Sequence, residues 1–129
     1  MIVLGVDPGT RHTGYGGVEI VGQKERILDY GAIDLSPKMA HAQRLSVIYA
    51  RLTEVIEATL PDECAVEMPV YGQNAQSMLK LGRAQAAVML AAMHRELPVT
   101  QYTPKEVKKS VTGNGNATKQ QVWYMVKSL

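Results

Sequence analysis

The segment that decides the fold is residues 1–16, MIVLGVDPGTRHTGYG. Residues 2–6 are a short apolar run, which predicts a buried central strand, and Asp7, Pro8 and Gly9 follow it as a typical turn. An acid at the end of a buried strand loses hydration unless a cation or hydrogen bonds compensate its charge. Asp7 is therefore either a turn-capping aspartate or a ligand for a hard divalent cation in a cleft. This segment alone leaves both interpretations open.

The composition indicates one globular domain with its own core. The chain has 129 residues, of which 46% are hydrophobic, and it contains no run of about 18 apolar residues that could span a membrane. The first residues lack the pattern of a signal peptide. The single cysteine, Cys64, cannot form an internal disulfide and is interpreted as a small apolar residue in a strand. These features predict a cytoplasmic protein without a membrane segment.

Hydrophobic periodicity predicts five strands and two long helices before residue 103. The strands are expected at residues 2–6, 14–20, 26–34, 64–68 and 97–102, with a hairpin turn at 21–24. The first helix is expected to begin at Ser36 and Pro37 and to end at Pro61, and the second to run from Asn74 to Glu96. The order predicts an α/β domain with a mixed five-stranded sheet, its first three strands antiparallel, and helices on both faces.

Two further helices are expected in the last quarter of the chain. Thr103 and Thr118 each begin a capping box, which is typical of a helix start. The second long helix is rich in alanine and glycine, so a neighbouring element can approach it closely. That neighbour is either the sheet or a second subunit, and the sheet is the commoner partner.

Glu67 repeats the arrangement found at Asp7. It follows the apolar stretch Cys64, Ala65 and Val66, and a loop with proline and glycine comes after it. If the first and fourth strands are neighbours, Asp7 and Glu67 meet at one edge of the sheet. Two adjacent carboxylates repel each other unless a metal ion or a proton lies between them. The pair therefore predicts a metal site, provided that the two strands are adjacent.

The formal net charge of +2 does not by itself indicate nucleic acid, but the charge is unevenly distributed. Five lysines follow residue 104, with one acid among them: Lys105, Lys108, Lys109, Lys119 and Lys127. Such cations suit contacts with DNA phosphates, although a solvated helix face explains the same pattern. Tyr71, in the loop after Glu67, is either a base-stacking residue or a half-buried loop aromatic. The histidines show no ligand spacing and are interpreted as surface or loop residues.

Three segments carry a resemblance to a known family. They are VDPGTRHTGYG, AVEMPVYGQNAQSMLKLGRAQ and YTPKEVKKSVTGNGNATKQQV, and together they extend over most of the chain. They resemble the RuvC family of bacterial Holliday junction resolvases. The resemblance implies an RNase H-like fold and a homodimer that binds four-way junction DNA and nicks opposing strands symmetrically with two Mg²⁺ ions per active site. It also implies a partner, the RuvA–RuvB branch-migration complex.

The resemblance also implies roles for individual residues. Asp7 and Glu67 match two catalytic, metal-binding carboxylates of the family. The residues expected to contact DNA are Tyr71, Asn74, Lys108, Lys109 and Lys119. The second long helix resembles the helix through which the family dimerises, which offers a second explanation for its small residues.

The sequence departs from the family pattern in two places. Val70 stands where the family carries a phenylalanine that stacks at the junction, with Tyr71 next to it, and the chain contains no phenylalanine. The family's remaining metal ligands lie on a C-terminal helix, whereas the sequence ends at Leu129 before that pattern. On this basis we expect a single RNase H-like nuclease domain, residues 1–129, that lacks the family's C-terminal helix.

Two other functions remain open at this stage. A domain without those last ligands could bind junction DNA without cleaving it. An actin-like nucleotide-binding domain also begins with a strand followed by Asp-x-Gly-Thr, but it requires a second phosphate loop of that type, which the sequence does not contain.

Overall fold

The computed structural model describes residues 1–22, 24–68 and 74–102. Its strands are β1 (Ile2–Asp7), β2 (His12–Val21), β3 (Lys24–Asp34), β4 (Glu63–Glu67) and β5 (Val99–Tyr102), and its helices are α1 (His41–Thr59) and α2 (Ala75–Met93). Neither helix is long and apolar enough to cross a bilayer. The five strands and two helices lie in the predicted order.

The five strands form one mixed sheet in the order β3-β2-β1-β4-β5. β1, β2 and β3 pair antiparallel, and β2 joins β3 through a tight turn in which Val21 pairs with Lys24 and Gly22 has a φ of 62°. β4 pairs parallel with β1 on one side and with β5 on the other. This confirms the mixed sheet, the antiparallel first three strands and the hairpin.

The main core lies between one face of the sheet and both described helices. On that face Leu4 and Val6 of β1 alternate with Val3, which lies on the opposite face. The buried helix residues that join the first group are Ile48, Leu52, Val55 and Ile56 of α1 and Ala84, Ala87, Val88, Ala91 and Ala92 of α2. The two described helices thus share a face, and the helices predicted after residue 103 lie outside the described residues.

The predicted start of the first helix was wrong. α1 begins at His41, and the residues before it form a turn in which Ser36 Oγ accepts from the Lys38 amide at 3.2 Å. The Arg44 guanidinium donates to the carbonyl oxygens of Pro37 at 2.9 Å and Met39 at 3.1 Å. A helix beginning at Ser36 needs those two carbonyls for its own hydrogen bonds. Arg44 therefore provides the hydrogen bonds that the carbonyls of Pro37 and Met39 would otherwise receive within a helix.

The small residues of α2 have the packing role expected of them. Ala84, Ala91 and Ala92 are fully buried in the main core, so their size sets how closely α2 can approach its neighbours. Cys64 is 1% exposed in β4, which confirms its interpretation as a small buried residue. Burial raises the pKa of its thiol to about 12, so the side chain stays protonated and unreactive at neutral pH.

A larger side chain at a buried α2 alanine should destabilise the domain. Ala91→Leu inserts three extra carbon atoms into a closed core, so we expect the free energy of unfolding to fall by about 1–3 kcal/mol in urea denaturation. Ala50→Leu is the control, because Ala50 lies on the exposed face of α1. Equal stability of the two variants would contradict the close packing of α2.

Candidate metal site

The two predicted carboxylates end neighbouring strands. β1 and β4 run parallel, and Val6 pairs with Val66 in their register. Asp7 and Glu67 are the next residues of the two strands, so they lie side by side, with the strands about 4.8 Å apart. The adjacency that was only assumed from the sequence is confirmed.

Both carboxylates belong to the sheet face opposite the described helices. Alternation along β1 puts Asp7 on the face of Val3, and alternation along β4 puts Glu67 on the face of Ala65. Asp7 pairs with Gly14 of β2, where an added Cβ would meet only the Asp7 Cβ, at 4.0 Å. Gly14 therefore adds no side chain beside Asp7.

Hydrogen bonds on both sides hold the backbone at Glu67. Glu67 pairs with Tyr102 of β5, and the next amide, that of Met68, donates to the Tyr102 carbonyl at 2.7 Å. Gln85 of α2 donates through Nε2 to the Glu67 carbonyl at 3.3 Å. Glu67 is 9% exposed, so the residue as a whole is largely shielded from water. Sequence reasoning missed Gln85 because nothing in its spacing connects it to Glu67.

The turn after Asp7 is closed by a buried threonine. The Thr13 hydroxyl accepts from the Gly9 amide at 3.2 Å and donates to the Gly9 carbonyl at 3.0 Å. Thr13 is fully buried, so these bonds are protected from water. A Cβ on Gly9 would lie 2.1 Å from the His12 carbonyl oxygen, which is why only glycine fits this turn. Threonine four residues after the glycine was the signal that sequence reasoning overlooked.

Two more contacts tie this turn to the rest of the domain. The Leu35 amide donates to the Arg11 carbonyl at 2.9 Å, and Arg44 donates to the Thr10 carbonyl at 3.4 Å. The segment between Asp7 and β2 is therefore bound to β2, to the end of β3 and to α1.

The donor set fits a hard divalent cation. Carboxylate oxygens are the ligands that Mg²⁺ prefers, and it keeps several waters when the protein supplies only one or two carboxylates. Two adjacent carboxylates also repel each other, and a cation relieves that repulsion. In the part of the chain that the structure describes, no third histidine, cysteine or acid joins them in a cluster. Asp7 and Glu67 can therefore hold a cation as a pair.

Asn74 is the other predicted site residue within the described ranges. It is exposed and caps α2, where its Oδ1 accepts from the amides of Gln76 at 2.8 Å and Ser77 at 3.4 Å. Its amide group retains donors for another partner. The remaining predicted DNA contacts, Tyr71, Lys108, Lys109 and Lys119, lie outside the described residues.

The three histidines have surroundings that their spacing did not predict. His12 pairs through Nδ1 with Asp34 Oδ1 at 2.7 Å across two antiparallel strands, and both side chains are exposed. The Tyr49 hydroxyl and His94 Nδ1 lie 2.5 Å apart. His41 is half-buried, and burial, followed by nearby positive charges, lowers its pKa and favours the neutral ring. The charges come from Arg83, Lys80 and Arg44.

Comparisons with known proteins agree with this arrangement. A family model described as "Crossover junction endodeoxyribonuclease RuvC" matches residues 3–129. The protein of that description from Salinibacter ruber is 63% identical over all 129 residues, which correspond to 72% of its own length. The one from Porphyromonas gingivalis is 50% identical over 94% of this chain and 64% of its own.

Solved structures give the same result. The structure of Thermus thermophilus RuvC has a TM-score of 0.81 at 35% identity, covering 99% of this chain and 79% of that one. T. thermophilus RuvC in complex with a Holliday junction substrate has a TM-score of 0.79 at 33% identity, covering 88% and 71% of the two chains. These similarities confirm the RNase H-like fold.

The chain is shorter than the relatives it matches. The chain spans between 64% and 72% of four bacterial relatives of the same description. Within that span the family match includes both strand-end carboxylates. The chain belongs to the RuvC family of crossover junction endodeoxyribonucleases.

Proposed function

We propose that this chain provides the nuclease domain of a structure-selective endonuclease that resolves four-way DNA junctions by symmetric nicking, in DNA recombination and repair. The observation that carries the proposal is the position of Asp7 and Glu67, which directly follow the paired residues Val6 and Val66 on neighbouring parallel strands. The chain matches the RuvC family from residue 3 to residue 129. That match also favours a nuclease over an actin-like nucleotide-binding domain.

Asp7 and Glu67 are the proposed metal ligands, and Mg²⁺ is the proposed ion, with two ions per active site. When bound, the ions supply Lewis-acid chemistry for phosphodiester hydrolysis. The contribution of this chain is to hold the two carboxylates adjacent at the ends of neighbouring strands. The hydrogen bonds at Gly9 and at the Glu67 carbonyl reduce the backbone motion that would separate them.

The proposed substrate is four-way junction DNA. The Thermus relative was solved with a Holliday junction substrate, and this chain is 33% identical to it. Asn74 is proposed to donate from its side-chain amide to a DNA phosphate beside the carboxylate edge. Tyr71 is proposed to stack on a base, and Lys108, Lys109 and Lys119 to contact phosphates.

A homodimer is the proposed assembly, because symmetric nicking of two strands needs two active sites. Three large apolar side chains of α2 are exposed outside the main core: Leu79, Leu90 and Met93. Leu90 and Ala86 also line a groove of about 350 Å³ between α1 and α2, away from the carboxylates. We propose that a second copy of the chain covers this surface. The further proposed partner is the RuvA–RuvB complex, and the proposed location is the cytoplasm.

Junction binding without cleavage is the second candidate. The description shared by the matched relatives, crossover junction endodeoxyribonuclease, favours the cleaving form instead. A nicking assay beside a gel-shift assay separates the two.

Replacement of Asp7 should separate cleavage from binding. Asp7→Asn keeps the size of the side chain but removes its charge, so we expect Mg²⁺-dependent nicking of a synthetic four-way junction to fall by roughly 100-fold or more. Junction affinity in a gel shift without divalent cation should change little, because the asparagine leaves the DNA-binding surface intact.

Asp29→Asn is the matched control, since Asp29 is an exposed acid in β3 away from the carboxylate pair. It should nick at the wild-type rate. Nicking by Asp7→Asn at the wild-type rate would remove Asp7 from the metal site. Wild-type protein that shifts the junction but never nicks it would favour the second candidate.

A charge on the exposed face of α2 should weaken the dimer. Leu90→Glu puts a carboxylate into the proposed apolar contact, so we expect the dimer dissociation constant to rise by about tenfold or more in sedimentation equilibrium. Val21→Glu is the control, because Val21 is 65% exposed at the far end of β2. If only Val21→Glu shifts the equilibrium, or neither variant does, α2 is not the dimer surface.

A further inference from the structure

Arg44 makes an unusual set of hydrogen bonds in the first turn of α1. Its guanidinium donates to three backbone carbonyls: from Nη2 to Pro37 at 2.9 Å, from Nε to Met39 at 3.1 Å and from Nη1 to Thr10 at 3.4 Å. Arg44 is half-buried and forms no ion pair among the described residues. Its charge is therefore compensated by carbonyl dipoles.

The bond to Thr10 is the one that reaches the carboxylate edge. Thr10 follows Asp7 by three residues and lies 34 positions before Arg44. The turn between Asp7 and Thr10 is also held from the β2 side, because the Thr13 hydroxyl forms hydrogen bonds with the amide and the carbonyl of Gly9. Arg44 adds a second attachment from α1. The same guanidinium holds the segment before α1, so the position of the helix is coupled to the position of the turn.

We propose that Arg44 is a positioning residue for Asp7, which it restrains through the Thr10 carbonyl, and that it thereby sets the affinity of the carboxylate pair for a divalent cation. The inference rests on the proposed metal site at Asp7 and Glu67. Arg44 itself contacts neither the cation nor the DNA in this account. Groups that orient metal ligands commonly change metal affinity by about 10- to 100-fold when they are removed.

The three carbonyl acceptors suit an arginine better than a lysine at this position. A guanidinium carries five donors in a planar fork, so one side chain can bond three carbonyls at once and stay charged at every working pH. A lysine has three donors on a single nitrogen and cannot span the same three acceptors. Arg44→Lys should therefore retain part of the restraint, and Arg44→Met should lose it.

The alternative role for Arg44 is purely structural. In that case the bonds to Pro37 and Met39 stabilise the segment before α1, and the bond to Thr10 has no effect on Asp7. Loss of Arg44 would then lower the melting temperature and leave metal affinity unchanged. Metal affinity measured on folded protein therefore distinguishes the two roles.

The test compares Mn²⁺ binding to the wild type, Arg44→Met, Arg44→Lys and Asp7→Asn, by electron paramagnetic resonance of the free ion. Mn²⁺ is used because it takes the same oxygen ligands as Mg²⁺. We expect the Mn²⁺ dissociation constant to rise about tenfold in Arg44→Met and by a smaller factor in Arg44→Lys. Junction affinity without divalent cation should stay within twofold of the wild type.

Arg51→Met is the matched control, because Arg51 lies on the same helix in an exposed pair with Glu54 at 3.5 Å. It should bind Mn²⁺ as the wild type does. Amide hydrogen exchange at residues 9–13 gives a readout that does not depend on metal, and it should be faster in Arg44→Met than in Arg51→Met. If Arg44→Met does not fold, the Mn²⁺ dissociation constants of Arg44→Lys and Arg51→Met decide between the two roles.

The outcomes separate this inference from the proposed function. Mn²⁺ binding that is lost in Asp7→Asn but unchanged in both Arg44 variants overturns the role of Arg44 and leaves the metal site standing. Mn²⁺ binding that is equal in the wild type and Asp7→Asn overturns the metal site, and the role of Arg44 with it. A weakened Mn²⁺ affinity in the Arg44 variants as well as in Asp7→Asn, with Arg51→Met unchanged and junction affinity retained, supports the proposal.

Discussion

The parallel pairing of β1 with β4 is the constraint on which the candidate site depends. Val6 and Val66 are fully buried and paired, so the core fixes the register of the two strands. A slip of one residue would turn alternate side chains to the opposite face and separate Asp7 from Glu67. The apolar residues before each acid therefore do more than fill the core. They determine that two carboxylates, which repel each other, stay adjacent.

Hydrogen bonds to backbone groups stabilise this edge of the sheet. Thr13, Arg44 and Gln85 each bond a main-chain group beside one of the two acids. Among the described residues, Arg26 and Glu19, Arg51 and Glu54, and Arg95 and Glu57 form exposed ion pairs elsewhere on the surface. Exposed pairs of this kind contribute at most about 1 kcal/mol each.

Local patterns were sufficient to predict the sheet and the two acids, because each strand carries its own apolar run and each acid ends one. The start of α1 was not predictable in this way. Ser36 and Pro37 have the pattern of an ordinary helix start, but Arg44 donates hydrogen bonds to the carbonyls of Pro37 and Met39. The pairing of His12 with Asp34 was missed for a related reason. Its partners are 22 residues apart and meet only through the register of β2 and β3.

The most direct test of the central claim is the location of a divalent cation on the folded protein. Crystals grown with Mn²⁺ should give an anomalous scattering peak between the carboxylates of Asp7 and Glu67, about 2–2.5 Å from an oxygen of each. The peak should disappear in Asp7→Asn crystals grown in the same way. A Mn²⁺ peak bound elsewhere, or no peak at this edge of the sheet, would contradict the account.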